Sequence, residues 1–252
     1  MQVRFDLLAS FRNPRARFFT FVFPIVLPVI LAGVFGNGMT FVDGVHVHLA
    51  KFYVPGILAM SIITVAYASL VVTVASARET GVLKRRRATP VSPAILIGGQ
   101  ALSTLVTTAT MTAVLLLIGR LAYGFSVAPG ALVAIACTVI VGTLSFACIG
   151  YAVAGLIGSV DAAQPIVQAT VMPLYFISGI WIPNVNLSPA LRSVASVFPV
   201  EHLASAMHLA SVRSSLGAAL SPHDLLLLAV WGVAAAAIAV RRFSWLPSTA
   251  TA

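Results

Sequence analysis

The sequence predicts an all-α polytopic membrane protein with six transmembrane helices. Three observations carry this. The chain of 252 residues is 60% hydrophobic and only 8% charged, whereas soluble chains carry about 25% charged residues. It cannot cover a water-facing surface with polar side chains, so lipid is its solvent. Six apolar runs follow one another, each near the ~20 residues a helix needs to cross the hydrocarbon core. Lastly, 15 Lys and Arg stand against 6 Asp and Glu, and they fall unevenly among the loops, which sets orientation. On a soluble protein the net charge of +9 would suggest nucleic acid; here it reports sidedness.

The first element is residues 2–17. Val3, Leu7, Leu8 and Phe11 fall on one helical face, but Arg4 sits inside that arc, and Asn13-Pro14 closes the segment. The pattern leaves two readings open, an interfacial helix on the cytoplasmic leaflet and a plain basic anchor. The first span, 18–35, follows this long basic lead and is interrupted by Pro24 and Pro28. With further apolar runs beyond it, it reads as an uncleaved span rather than a signal peptide. The remaining spans are 52–77, 94–118, 131–157, 165–182 and 222–240. The last opens with Ser221, Pro222 and Asp224 in N-cap, first-turn and capping-box positions, and Arg241 and Arg242 can snorkel at its end. No linker or low-complexity stretch divides the chain, so residues 1–252 read as one membrane domain.

Orientation follows from the basic residues. Arg4, Arg12, Arg15, Arg17, Arg78, Lys84, Arg85, Arg86, Arg87, Arg241 and Arg242 fall in one compartment, and only Lys51, Arg120, Arg192 and Arg213 in the other. The positive-inside rule places both termini and the loop after the second span in the cytoplasm, with all five histidines outside.

Between the fifth and sixth spans, residues 183–221 are external but not hydrophilic. Leu187, Leu191, Val194, Val197 and Phe198 precede Pro199, and Leu203, Met207 and Ala210 follow it. This spacing predicts two short amphipathic helices that dip in and return, or lie on the surface. Re-entrant backbone persists at membrane depth only when buried in protein or lining a cavity. In the fourth span, Gly150, Ala154 and Gly158 recur every four residues as a face for close helix packing. Cys137 and Cys148 lie too far apart along that helix for a disulfide and read as small packing residues.

Catalytic signatures are missing. No nucleophile elbow, H-E-x-x-H or P-loop occurs, since the two lysines, Lys51 and Lys84, follow Ala and Leu. His46 and His48 would share a face on an extended strand, and Glu201, His202 and His208 offer other ligands, but the spacing assembles no metal site; no metal is expected. Asp6, Asp43, Glu79, Asp161, Glu201 and Asp224 all lie in loops or at span ends. Ion-coupled carriers place carboxylates within the bilayer, so secondary transport and channel activity are disfavoured. A membrane-embedded enzyme would need a polar catalytic set that the spans do not offer. By composition alone, the basic run Lys84 to Arg87 reads as a topology anchor on anionic lipid.

Three segments together change that last reading. Phe11-Arg12-Asn13-Pro14 with Phe23-Pro24 and Leu31 to Gly36 is the first. Arg78-Glu79 to Gly81 with Ala88-Thr89-Pro90-Val91-Ser92 is the second. Ser178-Gly179-Ile180-Trp181-Ile182-Pro183, Leu187-Ser188-Pro189 and Phe198 to His202 form the third. In this order, in register with six spans, they resemble the ATP-binding-cassette (ABC) type-2 membrane permeases over essentially the whole chain.

The resemblance implies a permease half that pairs with a second copy or paralogue and docks on a cytoplasmic ABC ATPase subunit. That subunit would bind ATP and Mg, so this chain would carry no cofactor and no catalytic residue. Residues 1–17, with Arg12, Arg15 and Arg17, would be the elbow. Arg78, Glu79, Gly81, Leu83, Lys84, Arg85, Arg86 and Arg87 would form the ATPase-coupling loop within 78–93, and the turn around Asp161 a second cytoplasmic contact. The basic run is denser than the family pattern, which adds anionic lipid as a partner. Ala-, Val- and Leu-rich spans with 9% aromatics lean toward the daunorubicin-type drug exporters rather than the aromatic-rich polysaccharide exporters, with export of a lipid or polysaccharide as the alternative. A bacterial cytoplasmic membrane location and a hydrophobic or amphiphilic small-molecule substrate follow. Thr64, Tyr67, Thr73, Tyr175 and Phe176 are candidates for the substrate path, and such residues at helical spacing equally suit packing. No nucleic-acid partner is expected.

Overall fold

The computed structural model describes residues 26, 38–42, 45–81, 93–183 and 186–242. The predicted elbow, nearly all of the first span, and the coupling-loop residues Leu83, Lys84, Arg85, Arg86 and Arg87 lie outside these residues.

The described chain opens with a two-stranded antiparallel hairpin, β1 (Met39–Val42) and β2 (Val45–His48), in which Met39 pairs with His48 and Val42 with Val45. The all-α expectation therefore needs a correction. The β-branched alternation Val45-His46-Val47-His48 suits a strand, and pairing with β1 satisfies its backbone. His46 and His48 both lie on β2.

A continuous helical rod follows, formed by α1 (Leu49–Ile63), a π-helical segment (Thr64–Ser69) and α2 (Leu70–Glu79). The next helices are α3 (Pro93–Tyr123), α4 (Pro129–Leu156) and α5 (Val160–Ile177). Three short helices, α6 (Pro189–Ala195), α7 (Pro199–Val212) and α8 (Leu216–Ala219), lead into α9 (Pro222–Arg242). Among the described residues, four helices are long and apolar enough to cross a membrane: Lys51–Glu79, Gly99–Leu121, Pro129–Leu156 and Pro222–Arg241. The chain is a multi-pass membrane protein.

The fifth predicted span is displaced. Its helix runs from Val160 to Ile177 rather than over 165–182, because Ser159 caps it, accepting from the backbone N–H of Ala162 at 3.3 Å, and Asp161 sits in the first turn. A hydroxyl N-cap and an acid in the first turn both satisfy the positive end of a helix. Pro165 lies within the helix instead of starting it.

The core lies between the rod, α4 and α7. Leu58, Ile62, Ile63, Met111, Leu203, Met207 and Leu228 are fully buried. α9 packs along α4, which also meets α2, α3 and α7. The small-residue face of α4 is used in part. Gly150 and Ala154 are buried, and a Cβ at Gly150 would stand 2.9 Å from Leu70 and 3.2 Å from the Ala66 carbonyl. Gly158 falls beyond the end of α4 and is exposed, so it takes no part. Hydroxyls within the helices are satisfied locally. Ser61, Thr104, Thr107, Thr110, Thr138 and Thr170 donate to the carbonyl four residues back, which is how such groups tolerate apolar surroundings. Thr108 and Thr143 also join α3 to α4, with 2.9 Å between their hydroxyl oxygens.

The two amphipathic helices expected before the last span are α6 and α7, and Pro199 begins the second. Leu203, Met207 and Ala210 are buried as their spacing suggested, whereas Leu191, Val194 and Val197 are exposed. The chain turns back between α6, which is largely exposed, and α7, which packs into the bundle. Leu203 lies against Gly142, at the middle of α4, and Trp231 on α9 donates its indole N–H to the Val197 carbonyl at 3.1 Å. From there α7 returns to the end of the bundle that holds the β-hairpin, where His208 reaches the Phe52 carbonyl at 3.0 Å.

Candidate coupling site and substrate path

At the opposite end of the bundle, two adjacent residues at the end of α2 hold two other helices. Arg78 is buried although it is a cation, and its guanidinium donates to the carbonyls of Ala154, at 3.3 Å, and Ile157. Those carbonyls belong to the last turn and C-cap of α4, where intrahelical donors have run out and the helix end is negative. Glu79 accepts from the backbone N–H of Val160 at 3.2 Å. Val160 is the first residue of α5, where N–H groups are orphaned and the helix end is positive. A cation thus meets a helix C-terminus while the acid beside it meets the N-terminus of the next helix.

The chain then leaves α2 sharply. Thr80 donates its hydroxyl to the Ser76 carbonyl at 2.8 Å, and Gly81 adopts φ +68. A left-handed residue just past a helix end is the usual glycine stop, and it strains any residue with a Cβ.

The structure therefore unites part of the predicted coupling set. Glu79 and Gly81 stand where the loop leaves the bundle, and Glu79 touches the residue next to Asp161, itself exposed in the first turn of α5. Arg78, by contrast, turns inward. Its guanidinium is consumed by α4, so it shapes this end of the bundle from beneath rather than offering a surface charge.

The proposed path residues divide in the same manner. Tyr67, in the π segment, is buried, with its hydroxyl 2.9 Å from that of Thr170 on α5. Tyr175 is also buried and meets Thr64. Two tyrosines thus bridge the rod and α5 in opposite directions. A π-helical turn lodges one more residue per turn than an α-helix and frequently marks a functional position. Phe176, 45% exposed, lies against Trp181 with ring centroids 5.5 Å apart, and Thr73 is exposed.

Residues 3–210 match the family model described as ABC-2 type transporter. The chain belongs to that family. No curated protein matches it. As the resemblance implied, it is a permease component of an ABC transporter, and such a membrane domain works in a dimeric arrangement with an ABC ATPase.

One cluster in this permease was invisible in its sequence. On the face opposite the Arg78–Glu79 clasp, His202 Nδ1 lies 2.8 Å from Asp224 Oδ1, and its Nε2 lies 2.9 Å from the Ser196 carbonyl. A carbonyl and a carboxylate only accept, so the buried ring donates from both nitrogens. The hydrogen bond to Asp224 raises the His202 imidazole above its ordinary value, against the opposing effect of burial. Ser205 and Ser221 donate to Asp224 Oδ2 at 3.0 and 2.6 Å. Together, His202 and Trp231 satisfy two carbonyls of the turn between α6 and α7 and tie it to the bundle. The Ser221–Asp224 pair was legible as a capping box. Nothing in the spacing of 202 and 224 pointed to their meeting.

Proposed function

We propose that this permease is the membrane half of an ATP-driven bacterial exporter, moving a hydrophobic or amphiphilic drug- or antibiotic-like substrate across the cytoplasmic membrane. Two copies, or one copy and a paralogue, enclose the path. A separate cytoplasmic ATPase, carrying ATP and Mg, docks on residues 78–93 and on the turn at Asp161. Residues 1–17 lie along the cytoplasmic leaflet, and six spans place both termini on that side. The observation that supports this most is the Arg78–Glu79 clasp. A push on the loop after Gly81 reaches α4 and α5 through two charged side chains, so the motion passes beyond the rod that bears the loop.

For the cargo, exposed Phe176 and Thr73 offer aromatic and hydroxyl contact, while Tyr67 and Tyr175 stand behind them as the hinge between the rod and α5. Gln164 and Gln168, exposed four residues apart on α5, favour a more hydroxylated lipid or polysaccharide cargo as a second reading. Co-purification followed by vesicle transport tests the proposal. The permease should bring down a P-loop ATPase, and ATP should drive substrate accumulation. A chain that isolates without an ATPase and transports independently of ATP would sink the proposal.

A further inference from the structure

We propose that His202, His223 and Asp224 form a binding site for one divalent transition-metal cation, zinc being the best fit, with its fourth position open to water. The site lies where the first turns of α7 and α9 meet, and the proposal is independent of what the permease exports.

The donor atoms converge from two helices. One ligand atom from each of His202, His223 and Asp224 lies within 4.8 Å of the others. His202 Nδ1 stands 2.8 Å from Asp224 Oδ1 and 3.3 Å from Glu201 Oε2, and His223 Nδ1 stands 3.6 Å from the same Oδ1. Zinc bonds to nitrogen and oxygen of about 2.0–2.1 Å place tetrahedral ligands roughly 3.3 Å apart. These three separations lie on either side of that value, and the two histidine ligand atoms stand within 4.8 Å of each other.

The surroundings aim these atoms. Ser196 holds His202 Nε2–H through its carbonyl, so when the ring is neutral its lone pair is on Nδ1, facing the other ligands. Metal-bound histidines are usually oriented this way by a carbonyl or carboxylate on the far nitrogen. Asp224 is divided in the same sense. Ser205 and Ser221 take Oδ2, leaving Oδ1 to the two histidines.

Charge fits as well. One carboxylate and two neutral imidazoles offset half the charge of a dication and leave a position for water, and the nitrogen and oxygen donor set suits zinc over magnesium or calcium. Binding is a simple exchange in which the cation takes the Nδ1 lone pair and the Nδ1 proton leaves to solvent. His202 is buried and His223 is 78% exposed, so the site has a rigid inner ligand and an open side for entry. A bound cation would cross-link α7 to α9 and so fix the turned-back hairpin against the last span.

The test uses the full chain in detergent, purified without a histidine tag and with His46→Ala and His48→Ala replaced to remove the histidines of β2. Zinc is titrated alone, with heat of binding and thermal midpoint as readouts. The site predicts one zinc per chain and a rise in the midpoint. His223→Ala alters an exposed side chain, so it should fold normally yet weaken zinc binding by more than about tenfold. No zinc-dependent shift in the unsubstituted cluster, or equal zinc affinity after His223→Ala, overturns the proposal. Because no transport is measured, failure here leaves the exporter reading untouched, and failure of that reading leaves this one standing.

Discussion

Glu79 accepts a hydrogen bond from the backbone N–H of Val160, eighty-one residues away in sequence, at 3.2 Å. With Arg78 bonded to Ala154 and Ile157, it makes the end of α2 the point at which three helices are held together. Two neighbouring side chains of opposite charge match two helix ends of opposite polarity, which like charges in the same places could not do.

Replacing Glu79 should separate coupling from folding. The side chain is exposed, and an acid at a helix N-terminus contributes about 0.3–1 kcal/mol. Glu79→Gln keeps an acceptor oxygen and should fold nearly as well, while Glu79→Ala loses the contact with α5. With a partner ATPase present, Glu79→Ala should lower substrate moved per ATP hydrolysed, and Glu79→Gln should do so less. Equal transport-to-hydrolysis ratios in all three proteins would count against the clasp as a transmission element.

Arg78→Ala should act on stability first. It leaves two helix-end carbonyls without their donor in a buried position, at a cost of about 1–3 kcal/mol. Arg78→Lys keeps the charge but not the fork, and should recover only part of the loss. Thermal unfolding of the purified permease reads both, and an unchanged midpoint for Arg78→Ala would contradict the buried contact.

Gly81→Ala isolates backbone strain. Nothing lies within 4 Å of the added Cβ, so the only penalty is φ +68, about 1–2 kcal/mol. Gly81→Asn should be milder, since Asn visits that region more readily. Were the two variants equally active and equally stable, the sharp exit from α2 would be irrelevant to function.

The hydroxyl bridges between helices should be weak one by one. A double-mutant cycle on Thr108→Val and Thr143→Val should give a coupling near 0.6 kcal/mol, the usual size within membranes. Tyr67→Phe with Thr170→Val should give a similar coupling in stability. If the π segment works as a hinge, the tyrosine pair should in addition alter transport more than Thr108 and Thr143 do. Equal transport effects from the two pairs would make both mere packing.

Gly150→Leu should disrupt assembly of the bundle. Its first added carbon already meets Leu70 and the Ala66 carbonyl, and overpacking typically costs 1–3 kcal/mol. Gly158→Leu, outside α4 and exposed, should be tolerated. Expression and thermal midpoint of the two variants check the contrast.

By itself the sequence determined what one-dimensional pattern can carry. Apolar run length marked the helices 49–79, 93–123, 129–156 and 222–242 to within a few residues, because hydrocarbon thickness sets their length. Three motifs in order placed the chain in its family. The spacing around Pro199 announced α6 and α7, and the capping box announced the start of α9. Less was legible at the fifth helix, which a serine cap and a first-turn acid start at Val160, ahead of the apolar run 165–182. The hairpin of β1 and β2 is not legible in the sequence because four-residue strands depend on each other rather than on local pattern.

Only the tertiary structure decided which polar groups meet. In apolar surroundings a charge or carbonyl must find its partner wherever the packing of helices brings one. That partner is chosen by three-dimensional proximity, to which sequence spacing gives no guide. So Arg78, legible as a loop cation, became the cap of α4; Glu79 became the cap of α5; and His202 met Asp224 across the mouth of the last span.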